Sequence, residues 1–305
     1  MTRYLGFRVA YVAATLVAVS VVIFVMLMAS GDPAALMLSP NATPAEVAAL
    51  RHQMGFDRPW PAQYLAFVRR AVWGDFGTSL RYNEPALGLV VQFLPATAVL
   101  AGAAMALAVA IAMPLGVLAA ARRGSAYDLT ASAVGVLGQS VPVFWLGMLM
   151  ILVFGVVLQW LPIGGRGGVS HLVLPAAALG WYETAALTRL VRASLLDVLG
   201  DDYIRTAYAK GLRAYTVLLK HALRNAALPV VTVLGLELGT LLGGAVVTET
   251  VFSWPGVGRL LVDAVNNRDV PLALTAILLL AGIVICLNLV VDLCYAWLDP
   301  RVRYG

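Results

Sequence analysis

Apolar residues fall along this chain in long unbroken runs, and the charged ones collect between them. Val9 to Gly31, Pro85 to Ala121, Leu129 to Gly165 and Val270 to Val291 contain no Asp, Glu, Lys or Arg. Two further stretches are apolar around isolated acids: Leu172 to Leu190 around Glu183, and Pro229 to Phe252 around Glu237 and Glu249. About 20 apolar residues cross the ~30 Å hydrocarbon core as a helix. The pattern therefore predicts an all-α integral membrane protein with six transmembrane helices. Pro142 should kink the third of them, because proline removes a backbone donor and clashes with the preceding turn. Pro175 and Pro229 are placed where spans begin, a position that tolerates proline.

The long polar segment after the first run, Asp32 to Glu84, carries helix signals of its own. "TPAE" at Thr43 to Glu46 reads as a capping box, with Pro at the first helical position, and Gly55 is placed to end that helix. A second helix is expected from Pro61 to Trp73, stopping at Gly74. With Trp60, Tyr64, Phe67 and Trp73 the segment predicts a small folded cap on the extracytoplasmic side, not a loose linker.

Composition agrees with a bilayer. Of 305 residues, 61% are hydrophobic and only 12% charged, against about 25% charged in soluble domains. The first run is longer than the roughly 7–15 apolar residues of a cleaved signal peptide, so it is expected to stay as an anchored helix. The net charge of +5 does not point to nucleic acid, because the basic residues follow topology. If the amino terminus is inside, Arg3, Arg8, Arg122, Arg123, Arg189, Arg192, Arg205, Lys210, Arg213, Lys220, Arg224, Arg301 and Arg303 are all cytoplasmic. The short outer loops keep only Arg166, Arg259 and Arg268. This is the positive-inside distribution, and it places both termini in the cytoplasm.

Several chemistries are missing. A phosphate-binding loop ends in Gly-Lys-Ser/Thr, and the only lysines follow Ala209 and Leu219, so this chain is not expected to hydrolyse ATP. His52, His171, His221, Cys286 and Cys294 are too scattered for a metal site. The two cysteines sit about 12 Å apart along one helix, too far for a disulfide. No G-x-S-x-G element is present. The chain is expected to be no enzyme.

The most charged stretch between two spans is "DDYIRTAYAKGLRAYTVLLKHALRNAALP" from Asp201 to Pro229. Asp201 and Asp202 are N-cap candidates, and Gly211 is suited to a left-handed turn that ends the short helix. A second amphipathic helix is expected from about Ala214 to Asn225. A basic stripe lying on anionic lipid would need neither the glycine corner nor the capping carboxylates. The pattern predicts a rigid two-helix knob on the cytoplasmic face.

This loop resembles the EAA coupling motif of ABC-importer permeases in the form found in the dipeptide/oligopeptide/nickel group. Gly211 matches the motif's glycine. Arg205-Thr206-Ala207 stands for Glu-Ala-Ala, and His221-Ala222-Leu223-Arg224 stands for Ile-x-Leu-Pro. "GDPA" at Gly31, "LRHQMGFDRPWPAQYL" from Leu50, "GDFGTSL" from Gly74, "LPATAVL" from Leu94, "TETVFSWPGVGRLLVDAV" from Thr248 and the terminal "DLCYAWLDPRVRYG" resemble the same group in order and spacing.

The resemblance implies a type I importer transmembrane domain in a prokaryotic cytoplasmic membrane that moves dipeptides or oligopeptides. Nickel or another small solute is the alternative cargo. It implies a second homologous permease subunit, two ATPase subunits that hold ATP and Mg, and an extracytoplasmic substrate-binding protein, with no cofactor on this chain. Residues 1–31 would be the amino terminus and first helix, 32–91 the extracytoplasmic helical loop, and 92–305 the core permease domain with coupling loop 192–228. Arg205, Thr206, Ala207, Lys210, Gly211, His221 and Arg224 would carry the ATPase contact.

The translocation pathway is less marked. Gly235, Gly239, Gly243 and Gly244 place small residues on one face of the fifth span, for close helix packing or for space beside a peptide. Glu183, Glu237 and Glu249 are costly in a membrane and by default face an interior or a wet cavity; they either line the pathway or fasten helices. Asn288 and Asp292 are expected to fasten the last span. Two other classes compete with the importer: an ion-coupled secondary transporter working alone, and a membrane scaffold with no pathway.

Overall fold

The computed structural model describes residues 2–29, 34, 38 and 42–298. The side chains of Asp292 and Cys294, Gly244, the "GDPA" glycine and the terminal Arg301 and Arg303 lie outside the described part. Among the described residues the regular structure is helical, with one isolated bridge between Thr78 and Pro85.

Six long helical segments stand where the apolar runs predict spans. They are α1 (Thr2–Ala29), α4 (Ala86–Ala121), α5 (Ala126–Ser140) with α6 (Val143–Met150), α7 (Val169–Leu199), α10 (Leu223–Val251) and α12 (Val270–Leu298). By length and apolarity α4 and α12 each qualify as a span alone, and two bent pairs qualify together: α5 with α6, and the 214–227 segment with the start of α10. Short helices connect them: α2 (Pro44–Met54), α3 (Trp60–Val72), α8 (Asp202–Ala209), α9 (Ala214–Thr216) and α11 (Val257–Asn266).

Proline shapes three of these helices differently. At Pro142 the third segment does more than kink: α5 ends at Ser140, and α6 restarts at an angle of 104°. Val141 is held extended at φ −93°, ψ 120°, the conformation that the ring of a following proline favours. Pro142 then precedes the first turn of α6, and a π-helical turn from Ile151 to Val157 continues it. By contrast, Pro175 lies inside α7 and Pro229 inside α10, because both helices begin earlier than the apolar runs suggested. A 48° bend falls between the segments on either side of Leu228.

The core is centred on α4 and α7, whose backbones approach through small residues. Leu100, Ala104, Ala108 and Ala112 of α4 are buried against Leu179, Leu187 and Val191 of α7. A Cβ on Gly180 would come 2.6 Å from the carbonyl oxygen of Ala104. α5 joins through Gly138, where a Cβ would meet Ala185 at 2.4 Å. The Arg192 guanidinium adds a two-pronged pair to Asp128 at 2.5 and 3.0 Å, and Arg189 hydrogen-bonds Gln139. Membrane helices lack a hydrophobic drive to associate and depend on such close packing.

Replacing Gly180 with Val should therefore force α4 and α7 apart, at a cost of about 1–3 kcal/mol for overpacking. Thermal unfolding of the purified protein in detergent should show a lowered midpoint. Gly102→Ala, where nothing lies within 4 Å, should leave it unchanged.

The long loop folds as its sequence predicts. Thr43 accepts from the Glu46 backbone, the Glu46 carboxylate accepts from the Thr43 N–H at 2.7 Å, and Gly55 ends α2 in a left-handed conformation at φ 73°. The Thr43 backbone and hydroxyl donors hold the Glu46 carboxyl below its usual range. Gln63, buried in α3, donates to the carbonyls of Phe56 and Arg58 and fixes the turn between α2 and α3. α3 lies against α1: the hydroxyls of Tyr64 and Ser20 share a hydrogen bond at 2.8 Å, and Phe24 stacks edge-on to Tyr64. The end of the loop is tied to α12, where Asp269 accepts from Ser79, from the Arg81 N–H at 3.2 Å and from the Leu272 N–H at 3.3 Å.

Candidate functional site

Two groups of predicted site residues occupy separate places: the knob between α7 and α10, and the acids within the helical bundle.

In the knob, α8 runs from Asp202 to Ala209, and Gly211 turns the chain at φ 78°. A Cβ there would meet nothing within 4 Å. The glycine is thus required by backbone conformation, which costs an L-residue with a side chain roughly 1–2 kcal/mol, and not by crowding. Asp201 stands at the N-cap, although its side chain makes no cap bond; Asp202 instead pairs with Arg205 at 3.3 Å on the surface. The second helix departs from expectation. It does not stop near Asn225: α9 passes into a π-helical turn, Val217–Ala222, and runs on into α10. Pro229 removes one backbone donor and its ring crowds the carbonyl of Asn225, and the helix takes this up as the 48° bend beside Leu228 instead of stopping.

A packed base holds this knob. Ile204, Ala207, Val217, Ala222 and Ala226 are buried with Leu195 of α7 and Ala120 of α4. Asn225 donates to the Tyr203 hydroxyl at 2.7 Å and links the two arms. Of the predicted contact residues, Arg205, Thr206, Lys210, Gly211 and Arg224 are exposed, His221 is half-buried, and Ala207 points into the base.

Among the acids, Glu183 of α7 is 3% exposed, and its Oε2 is buried without a hydrogen-bond partner. Its side chain lies within interacting reach of that of Glu237 of α10. Glu237 is half-buried and accepts from Thr240 at 2.6 Å. Two residues far apart in sequence thus meet. Glu249 does not join them. It is wholly buried, and its oxygens accept from the Thr97 hydroxyl at 2.6 Å and from the Arg259 N–H at 3.0 Å at the amino end of α11. Thr97 in turn accepts from the Val257 N–H at 2.9 Å, and Trp254 donates to the Ala96 carbonyl at 2.9 Å. Glu249 is a clasp that fastens α4, α10 and α11.

The glycine face divides likewise. A Cβ on Gly235 would strike Val291 at 2.6 Å, and one on Gly239 would touch Val284 at 3.3 Å and Asn288 at 3.4 Å. These two glycines admit α12 to close contact, whereas Gly243 has nothing within 4 Å. Among the described residues no group of three or more His, Cys, Asp or Glu could hold a metal ion.

A family profile described as binding-protein-dependent transport system inner membrane component matches residues 112–304, and its amino-terminal counterpart matches residues 1–102. The chain belongs to this family. As an inner-membrane transport component it is 39% identical to the dipeptide transport system permease protein DppB of Escherichia coli K12, over 100% of this chain and 99% of the relative. It is 43% identical to the glutathione transport system permease protein GsiC of the same strain, over the full length of both. Its fold matches a chain of the MetNI methionine ABC transporter in an inward-facing conformation, with TM-score 0.59 and 21% identity over 69% of this chain and 96% of that one. The transport component thus has the type I ABC importer transmembrane fold.

One set of surface residues escaped the sequence reading. Tyr203, Tyr208, Leu212 and Tyr215 are all exposed on the knob, Tyr215 at 73%. Nothing in the sequence alone marks these four as sharing one exposed surface. Only the course of the base shows that Ile204, Ala207 and Val217 fill it and leave the tyrosines outside.

Proposed function

We propose that this chain is the peptide-translocating permease subunit of an ATP-driven importer, with both termini and the knob in the cytoplasm. The single observation that carries the coupling role is the knob itself. A buried apolar base fixes an exposed surface of Arg205, Lys210, Arg224, Tyr208 and Tyr215. Tyrosine and arginine are the residues that most often anchor protein interfaces. On this reading the knob seats in a cleft of an ATPase subunit, whose closure on ATP and Mg moves the spans. This chain performs no catalysis. Two ATPases, a second homologous permease subunit and an extracytoplasmic binding protein complete the assembly. The names of the full-length relatives support a peptide as cargo.

The meeting of Glu183 and Glu237 supports a path between α7 and α10. A carboxylate oxygen buried without a partner, opposite a second carboxylate, suits a small cation, and the protonated amino terminus of a peptide is one. Attraction there is stronger than in water, because the surroundings are of low dielectric.

The reading is tested with the chain co-purified with its ATPases and reconstituted in liposomes. ATP and the binding protein together should drive peptide uptake, and the binding protein should stimulate ATP hydrolysis. Uptake by this chain alone, without ATP, would show a secondary transporter instead.

A further inference from the structure

We propose that α3 is an interfacial helix, immersed along one side in the lipid leaflet on the long-loop side of the membrane. The inference rests on where α3 is docked and on how its surface is divided.

The docking site sets the depth. Tyr64 and Phe67 of α3 contact Ser20 and Phe24 of α1. Those α1 residues lie well inside the helix, roughly 8–14 Å below its end at Ala29 at the helical rise. α3 therefore lies beside the span, not above it, and whatever covers its free surface must exist at that level.

The surface of α3 has three faces at 100° per residue. Gln63, Tyr64 and Phe67 form the face turned to α1 and the preceding turn. Pro61, Leu65, Val68 and Val72 form a second, apolar stripe at i, i+4, i+7 and i+11; Leu65 is 69% and Val72 77% exposed. A third face carries Ala62, Ala66 and Arg69, all exposed. Water would leave the second stripe costly, since contiguous exposed apolar surface marks a partner or a membrane. The helix it docks on, α1, carries an exposed apolar arc of its own, Val17, Val21 and Val25, which in a membrane component is surface for acyl chains. The flanks fit the same partner. Trp60 and Trp73 close the two ends and are exposed, as aromatic rings at headgroup level are. Arg69 and Arg70 follow in the last turn and can extend to lipid phosphates while their stems stay apolar. A helix with one apolar face, basic residues beside it and tryptophan at its ends has the character of an interfacial anchor.

The test is made on the assembled transporter in liposomes, in a cysteine-free background that retains uptake. Single cysteines at Leu65→Cys, Val72→Cys and Ala66→Cys are spin-labelled, and collisions with oxygen and with a water-soluble nickel chelate are measured. Oxygen, which concentrates in lipid, should collide several-fold more often than the chelate at positions 65 and 72, with the ratio reversed at 66. Preference for the chelate at 65 and 72 would overturn the proposal by placing the stripe in water. Low collision with both reagents at those positions would also overturn it, and would mean that a protein subunit covers the stripe.

Discussion

Gly211→Val should uncouple transport from ATP hydrolysis while leaving the chain inserted and assembled. Gly211 adopts φ 78° with open space around it, so the substitution meets no neighbour and acts through the backbone alone. A β-branched residue resists that region more than most. The turn must then either carry the strain or rearrange the short corner between α8 and α9. Ile204 and Ala207 hold α8 in the base, so the rearrangement falls on the corner and re-aims Lys210, Leu212 and Arg213 without unfolding the base. The measurement pairs peptide uptake with ATPase stimulation by the binding protein in the same liposomes. Uptake should fall by on the order of tenfold, the equivalent of about 1.4 kcal/mol, with residual hydrolysis no longer answering to the binding protein. Gly211→Asn should fall in between, because asparagine visits the left-handed region more readily. Unchanged coupling in the valine variant would remove the corner from the mechanism.

Glu183→Gln and Glu237→Gln should each lower uptake of peptides with a free amino terminus far more than uptake of N-acetylated ones. The two side chains face each other across α7 and α10, and Oε2 of Glu183 is buried with no hydrogen-bond partner. Glutamine keeps the size and removes the charge, so the change isolates electrostatics. The charge pair at stake is that between an acid and the ammonium group of the peptide; truncating one partner of such a buried pair costs about 2–5 kcal/mol, and a loss at the lower end corresponds to roughly thirtyfold in uptake of the cationic peptide. Competition between the two peptides in one vesicle preparation reads the ratio directly. Equal losses for both, with poorer assembly of the complex, would assign the acids to helix packing. Glu249→Gln serves as the contrast. Its carboxylate is already occupied by Thr97 and the amino end of α11, so it should lower stability without changing the ratio.

Local features were legible in the sequence, and features made by distant contacts were not. Each long apolar run holds a helix, because burial in lipid leaves a backbone no other way to satisfy its polar groups. Thr43 to Glu46 forms its capping box and Gly211 its corner, since each depends on a few consecutive residues. The boundary at Pro229 was misleading because an interior proline can bend a membrane helix without ending it. Glu183, Glu237 and Glu249 look alike in sequence, each a lone acid in an apolar stretch. What separates them is the neighbour: another acid for the first two, and a helix amino end supplied by α11 for the third. The tyrosines of the knob were hidden for the same reason, since the base that leaves them outside is built with Leu195 and Ala120 from distant helices.

The run of helix from Ala214 through the π-helical turn into α10 has a mechanical consequence. It makes the knob and the fifth span one lever, with no loop between them to absorb motion. Lys220 near its base and Glu237 lie roughly 25 Å apart along this lever at the usual helical rise, and Glu249 stands near its far end, clasped to α4 and α11. The clasp can serve as a fulcrum. A small sideways push at the base would then sweep Glu237 past Glu183 by an amount set by the ratio of the two arms, and the 48° bend beside Leu228 would decide the direction of that sweep.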